Sequence, residues 1–328
     1  MRFIKIFVCL SALLACLLCL GACSEDEEAP QEDVYYKVVF DSAGGSSVDE
    51  VKVLSGSIIA RPDDPEKEGF IFNGWLNDGV EWDFDNDKVK SDTTLTAAWI
   101  NAKTIFEYDV ENEKATLTKY TGSLETLRVP TKIGGYEVVA IGDEAFKGIS
   151  YEKTREITVG ENVTSVGNSA FEGCADVKII LECKLVSIGE KAFRGCTALE
   201  SVTLGSGLKA IPVEAFSGCE GLVSAVLSDT VETVGENAFD GCTALKTLTA
   251  HSSLKTVSDS AFLGCDALKA IYYYGTAEQW AATQIAEGNN GNDALSAAYF
   301  YMYSETEPSA DAKGKYWYFK DDGSIRIW

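Results

Sequence analysis

The sequence predicts a mainly β protein with short helices, in which a solenoid of stacked repeats joined by a parallel sheet follows a small β domain. Three observations carry this. A pattern of about 23 residues returns six times between Ala145 and Gly264. A separate run rich in β-branched and aromatic residues, from Val34 to Trp99, lies ahead of it. A composition of 46% hydrophobic and 24% charged residues over 328 positions is ordinary for a globular chain and excludes a disordered or polytopic membrane protein.

The chain opens on an address. Arg2 and Lys5 precede an uncharged apolar run, 6–20, which is short of the roughly 20 residues a spanning helix needs and fits the h-region of a secretory signal. Leu20-Gly21-Ala22-Cys23 resembles the lipobox of bacterial lipoproteins. That resemblance implies removal of 1–22 and acylation of Cys23, a membrane link through a lipid anchor. Leu14-Ala15-Cys16 is a weaker competing match inside the apolar run. Ser24-Glu25-Asp26-Glu27-Glu28 is similar to the export signal of Bacteroidetes lipoproteins, which implies a bacterial cell-envelope protein exposed on the outer-membrane surface. Charge density alone makes 23–33 a solvated acidic tether.

Charge and histidine content narrow the function classes. Acidic residues outnumber basic ones 51 to 28, a net charge of −23 that grows more negative once Arg2 and Lys5 are removed. Such a surface repels nucleic acid and bare anionic lipid. The single histidine, His251, forbids any site needing two imidazoles. It follows a strand end with no nucleophile motif beside it, so it reads as an exposed loop residue and the chain as no enzyme.

In the β domain, 34–100, Tyr35 to Phe40 reads as a strand, Asp41-Ser42-Ala43-Gly44-Gly45 as a turn, and Val48 to Val53 as a second strand. Phe70 to Trp75 and Thr94 to Trp99 supply two more apolar stretches. Phe40-Asp41-Ser42-Ala43-Gly44-Gly45, Pro65, Gly69-Phe70, Gly74-Trp75 and Leu95-Thr96-Ala97-Ala98-Trp99 resemble the Listeria–Bacteroides, or internalin B, repeat. The resemblance implies a β-grasp-like spacer or binding module without catalytic residues. Trp75, Trp82 and Trp99 read as core, because so small a domain needs them to bury enough area. Asp83-Phe84-Asp85-Asn86-Asp87 alternates acids as a calcium loop does, but Lys88 and Thr94 stand where its glycine and bidentate glutamate belong.

The repeats decide the architecture. Phe146, Phe171, Phe193, Phe216, Phe239 and Phe262 each follow an alanine and precede, two residues on, a glycine; their spacings are 25, 22, 23, 23 and 23. Aliphatics stand five and eight residues before each Phe. A unit this short cannot bury its own apolar face, so copies must stack, with the six phenylalanines as a structural ladder. A strand pattern follows each glycine, which predicts one parallel sheet running through all rungs.

The pattern [Val/Leu]-x-x-[Ile/Val]-x-x-x-Ala-Phe-x-Gly-Cys resembles the BspA-like, or Treponema-type, leucine-rich repeat over 136–274. That family implies a right-handed leucine-rich-repeat solenoid that binds extracellular macromolecules and carries out no reaction. Residues 101–135, with Phe106, Tyr120, Leu127 and Pro130, read as an N-terminal cap. Residues 275–328 read as the other cap, with a helix around Ala277 to Ala286 that presents Trp280, and an aromatic ending with a turn at Asp322-Gly323.

Cys174, Cys196, Cys219, Cys242 and Cys265 stand three residues after a repeat Phe, where the first repeat has Ile149. Side chains at one repeat position run parallel, which suits neither disulfide geometry nor a tetrahedral zinc site, so these thiols read as small hydrophobes. The expectation is no metal and no cofactor. Cys183 lies off the ladder without an assigned role.

In each strand alternate residues point outward. Ser201 and Thr203, Ser224 and Val226, Thr247 and Thr249, Ala270 and Tyr272 form an uncharged stripe on an acidic chain, with Tyr274 beyond. This stripe is the candidate surface for an extracellular protein or glycan; equally, Ser and Thr simply suit exposed strands. The expected function is a monomeric, adhesin-like surface binding protein, with a carbohydrate-capture lipoprotein of a nutrient uptake system as the alternative. Asn162-Val163-Thr164 is a glycosylation sequon of little weight in a bacterial chain.

Overall fold

The computed structural model describes residues 33–150, 152–183, 185–286, 292–306, 308, 314–320 and 325–328. Residues 1–32, with the expected signal segment, Cys23 and all but the last residue of the expected tether, lie outside the described residues, as does the expected turn at Asp322-Gly323.

The N-terminal module is a five-stranded sheet made of β1 (Tyr35–Asp41), β2 (Val51–Leu54), β3 (Phe70–Asn77), β4 (Val80–Glu81) and β5 (Thr93–Asn101), in the order β2-β1-β5-β3-β4. The first and last long strands pair in parallel at its centre, a β-grasp-like arrangement with an irregular segment in place of the crossover helix. Its second strand begins at Val51 rather than Val48. Val38, Phe40, Leu95, Trp75 and Trp82 are buried at its core, and Phe40 and Phe72 pack edge-on against Trp75. Trp99 is only half-buried; its Nε1 donates to the Ser42 carbonyl at 2.9 Å.

β5 runs directly into the solenoid through β6 (Phe106–Glu111) and β7 (Lys114–Tyr120), an antiparallel hairpin, then β8 (Thr126–Arg128), β9 (Lys132–Ile133) and β10 (Tyr136–Ile141). Each later rung has a two-residue strand before the Phe turn and a longer one after it. The short strands are β12 (Ser165–Val166), β14 (Ser187–Ile188), β16 (Ala210–Ile211), β18 (Thr233–Val234) and β20 (Thr256–Val257). The longer ones are β11 (Glu156–Val159), β13 (Lys178–Leu181), β15 (Ser201–Thr203), β17 (Ser224–Val226), β19 (Thr247–His251) and β21 (Ala270–Tyr274). The chain closes with α1 (Ala277–Ala281), β22 (Gln284–Ile285), α2 (Asp293–Ala297), β23 (Tyr299–Tyr303), β24 (Lys315–Phe319) and β25 (Ile325–Ile327). The first helix thus stops five residues short of Ala286, and Trp280 packs inward against Tyr273 and Phe300.

The six phenylalanines are fully buried and stack face to face, with centroids 4.9–5.4 Å apart and planes within 12° of parallel. A hydrogen-bond ladder runs beside them. From Phe146 to Phe239 each Phe N–H donates to the alanine carbonyl of the next rung at 2.8–2.9 Å, and from Gly148 to Gly241 each turn glycine donates to the carbonyl just before the next rung's glycine at 2.6–2.8 Å. Tyr120 stacks on Phe146 at 5.6 Å and Phe106 packs edge-on at 6.0 Å, so the cap residues finish the aromatic column at its N-terminal end.

The expectation of one continuous sheet is corrected. The longer strands form two sheets, β13-β11-β8 and β15-β17-β19-β21-β23-β24-β25, and the short strands divide at the same rung into β14-β12-β10-β7-β6 and β16-β18-β20-β22. Two local causes coincide there. The spacing from Val177 to the buried Ile179 is one residue shorter than the equivalent spacing from Leu199 to Val202. β13 therefore falls out of register with β15, and Leu204 bridges to Leu185 instead. On the other side, Gly167, Gly189, Gly235 and Ser258 each donate an N–H to the preceding short strand, whereas the matching residue of the Phe216 rung is Pro212, which has no N–H to give. The Phe ladder crosses the break intact.

Candidate partner-binding surface

The seven-stranded sheet brings the candidate side chains into rows, because parallel pairing places identical repeat positions side by side. Ser201, Ser224, Thr247 and Ala270 share one row that continues to Tyr299. Thr203, Val226, Thr249 and Tyr272 share the next, which continues to Tyr301 and Lys315. Val202, Ala225, Leu248 and Ile271 between them are buried. Ser201, Thr203, Tyr299 and Lys315 are exposed and the other members half-buried, except Ala270, which is buried at 8% exposure and does not belong to the open stripe.

The stripe grows aromatic toward its C-terminal strands. Tyr272 stacks on Tyr301 at 5.6 Å and Tyr274 packs on Tyr303 at 4.7 Å, while Trp317 wedges between them edge-on, 5.4 Å from Tyr272 and 4.9 Å from Tyr274. Lys315 Nζ stands over the Tyr299 ring at 3.8 Å. Tyr272 and Tyr274 are thus mid-sheet residues, not its end. The strands beyond Tyr274 lack the Ala-Phe-x-Gly turn, and only the alternation Tyr299-Phe300-Tyr301-Met302-Tyr303 marks them in the sequence.

His251 is corrected from loop residue to the last residue of β19. It is half-buried, its ring stacked on Tyr274 at 4.3 Å and 6°. Burial lowers its pKa, opposed by the nearby charge of Asp229, and burial raises the Tyr272 and Tyr274 hydroxyls. At neutral pH the stripe from β15 to β23 carries no charged side chain and offers hydroxyl donors and acceptors, with Lys315 of β24 at its border.

The ladder cysteines are engaged in the fold. Cys174, Cys196, Cys219, Cys242 and Cys265 each donate Sγ–H to the phenylalanine carbonyl of the preceding rung at 3.0–3.2 Å. Cys183 is buried in the same core. Among the described residues no group of three or more histidines, cysteines or acids could hold a metal ion. Asp83 spends its oxygens on its own loop, accepting from Asp85 N, Asn86 N and Asn86 Nδ2. The sequon amide of Asn162 is also occupied, donating to the Val138 carbonyl.

Comparison with known proteins fits this geometry. A model of the BspA type leucine rich repeat region matches six copies over residues 117–226 and 209–280, half of the chain. The chain belongs to the BspA type leucine-rich-repeat family. Ahead of the repeats, residues 36–98 match the Listeria-Bacteroides repeat domain. A protein of Evansella cellulosilytica is 39% identical over 106 residues, 31% of this chain and 12% of that one. Internalin H of Listeria monocytogenes is 36% identical over 105 residues, 30% of this chain and 19% of that one. This BspA type chain therefore spans a fifth or less of the curated relatives it matches. The crystal structure of a T. pallidum leucine rich repeat protein is 24% identical, with 52% of this chain and 69% of that one covered and a TM-score of 0.37.

Proposed function

We propose that this BspA type chain is a lipid-anchored, non-catalytic binding protein of the bacterial cell surface, acting as a monomer, and that the seven-stranded sheet face docks an extracellular protein. One observation carries the choice of protein over glycan. A sugar stacks on the flat face of an aromatic ring, and here one flat face of each ring is already engaged within the sheet: His251 on Tyr274, Tyr272 on Tyr301, Lys315 over Tyr299, which stays 60% exposed. What the stripe offers is ring edges and hydroxyls beside Ser and Thr, the chemistry of a protein interface core from which charge is depleted. The net charge of −23 leaves this stripe as a nearly neutral window on an acidic chain.

The experiment is binding of the exported chain to panels of host and bacterial surface proteins and to a glycan array. Ser201, Thr203, Thr247 and Thr249 replaced together by Glu are expected to abolish protein binding and leave the fold intact, because four outward charges disrupt a neutral interface without touching the core. Unchanged binding overturns the sheet-face reading. Glycan binding lost on Tyr299→Ala and Tyr301→Ala supports carbohydrate capture instead. Separately, Cys23→Ala is expected to release the chain from membranes, and continued retention refutes the anchor.

A further inference from the structure

A cleft lies away from that stripe. The β-grasp-like module leans over the outward face of β8, β11 and β13, leaving a cleft of about 870 Å³ between the two. That volume falls within the range of real ligand sites, which favour domain junctions. The walls are tied together: Lys132 of the solenoid pairs with Glu68 of the module at 3.4 Å, Ala102 N donates to the Gly69 carbonyl at 3.0 Å, and Ile71 enters the solenoid core.

The cleft has an apolar floor and an acidic rim. Phe70, Phe72 and Trp99 line one wall, each half-buried, and Ile180 faces them from β13. Ile180 points outward where the other rungs carry Thr203 or Thr249, and it belongs to the rung that is one residue short. Seven acidic side chains line the cleft against four basic ones, and each base is engaged within the chain. Arg61 pairs with Asp64 at 3.0 Å, Arg128 grips Glu182 with two nitrogens at 2.7 and 3.2 Å, Lys132 holds Glu68, and Lys67 donates to the Ala43 carbonyl with its Nζ over the Phe70 and Trp99 rings at 4.7 and 5.6 Å. Glu66 and Glu81 are left with no ion pair to a described residue. The negative field reaches across: the Arg128 guanidinium is pushed up first by its hydrogen bond to Glu182, then by the charges of Glu182, Glu66 and Asp64, the last two on the opposite wall.

We infer that this cleft is a binding site for an extended basic peptide, one that sets a lysine or arginine against Glu66 and Glu81 and a neighbouring apolar side chain on the Phe70, Phe72 and Ile180 floor. The occupant follows from charge complementarity and shape. A surplus of unpaired carboxylate wants a cation, the floor wants an apolar group, and a cleft lined by β8, one of the two edge strands of its sheet, suits an extended chain. The site stands independently of the seven-stranded face.

The test uses the exported full chain and a fluorescein-labelled peptide of alternating lysine and leucine, with a glutamate-for-lysine peptide as control, read by anisotropy. Binding is expected for the lysine peptide only. Glu66→Lys with Glu81→Lys is expected to weaken it by roughly tenfold or more, the loss of about 1.4 kcal/mol, and Ile180→Asp similarly. Thr203→Glu with Thr249→Glu is expected to leave it unchanged. Both charge reversals lie on exposed positions, and circular dichroism verifies that the variants fold. Bound peptide is also expected to slow hydrogen exchange at residues 61–67 and 126–130. Equal affinity across all variants signals only general attraction to an acidic chain and overturns the proposal. So does displacement of the probe by spermine as readily as by unlabelled peptide, or the absence of binding.

Discussion

The Asn292 side chain stands in for a missing rung at Phe262. Every earlier repeat Phe donates its N–H to the alanine carbonyl of the next copy, and at the last copy Phe262 N donates instead to Asn292 Oδ1 at 3.2 Å. Asn292 Nδ2 in turn donates to the carbonyls of Ser258 and Ala286, both at 3.1 Å, and the residue is buried. One amide therefore satisfies three backbone groups that an open solenoid end leaves stranded.

Replacing Asn292 by Ala is expected to cost at least about 1–3 kcal/mol, because a buried N–H and two carbonyls lose their partner. Asn292→Asp keeps the acceptor but sets a carboxylate against two carbonyl oxygens, so it is expected to be worse at neutral pH and to recover partly on acidification, as the carboxyl regains a proton. Urea unfolding of both variants across pH reads this. An Asp variant insensitive to pH counts against the capping role.

Phe216 lies between Phe193 and Phe239, with centroid distances of 5.4 and 5.2 Å, and is fully buried. Truncation to Ala removes both stacking partners and leaves a cavity that rigid neighbours cannot fill, at an expected cost of about 3–5 kcal/mol. Phe216→Leu refills part of the volume and is expected to cost less. Chemical denaturation of the two variants gives the ordering, and equal costs contradict a packed column.

Three ladder thiols, Cys174, Cys196 and Cys219, couple stability to alkaline pH. Burial pushes Cys174 and Cys219 from 9.0 up to about 12, and raises Cys196 as well. The folded chain then retains protons that the unfolded chain surrenders above pH 9. This contribution is complete below pH 9 and is lost as pH climbs toward 12, at about 1.4 kcal/mol per pH unit for each thiol. Cys219→Ala is expected to flatten the fall in urea midpoint between about pH 8 and about pH 10.5 relative to the parent. Native thiols are also expected to resist iodoacetamide at neutral pH. Identical alkaline slopes in parent and variant refute the coupling.

The repeat period made the Phe column and its caps legible, since a residue recurring six times in one register has a single way to be buried. Phe106 and Tyr120 were readable as an end of the stack because they are aromatic and precede the first copy. The two-sheet break was not: it rests on one missing residue before Ile179 and one absent N–H at Pro212, both invisible to hydrophobic periodicity. Tyr299, Tyr301 and Lys315 escaped for the opposite reason, as strands that continue the sheet after the turn pattern has ended. His251 was misplaced because a histidine after Thr-Ala looks like a strand exit, whereas its partner Tyr274 extends the strand by pairing with it.

Each rung turns two corners in the left-handed region, and the repeat treats them differently. The glycine after Phe takes one, as Gly264 does at φ +70°, but the residue before Ala-Phe takes the other without being glycine, as Ser260 does at φ +54°. Left-handed backbone costs an L-residue about 1–2 kcal/mol, only partly offset by the extra unfolded-state freedom of glycine. Ser260→Gly is therefore expected to stabilise the fold, by up to about 1 kcal/mol. Gly264→Ala is expected to destabilise it by about 1–2 kcal/mol. That cost is purely conformational, since an added Cβ meets Gly241 at an ordinary 3.5 Å. Thermal or urea melts of the pair decide the point: opposite signs follow from backbone strain, whereas two destabilised variants mean that the Ser260 side chain, not its backbone, governs that corner.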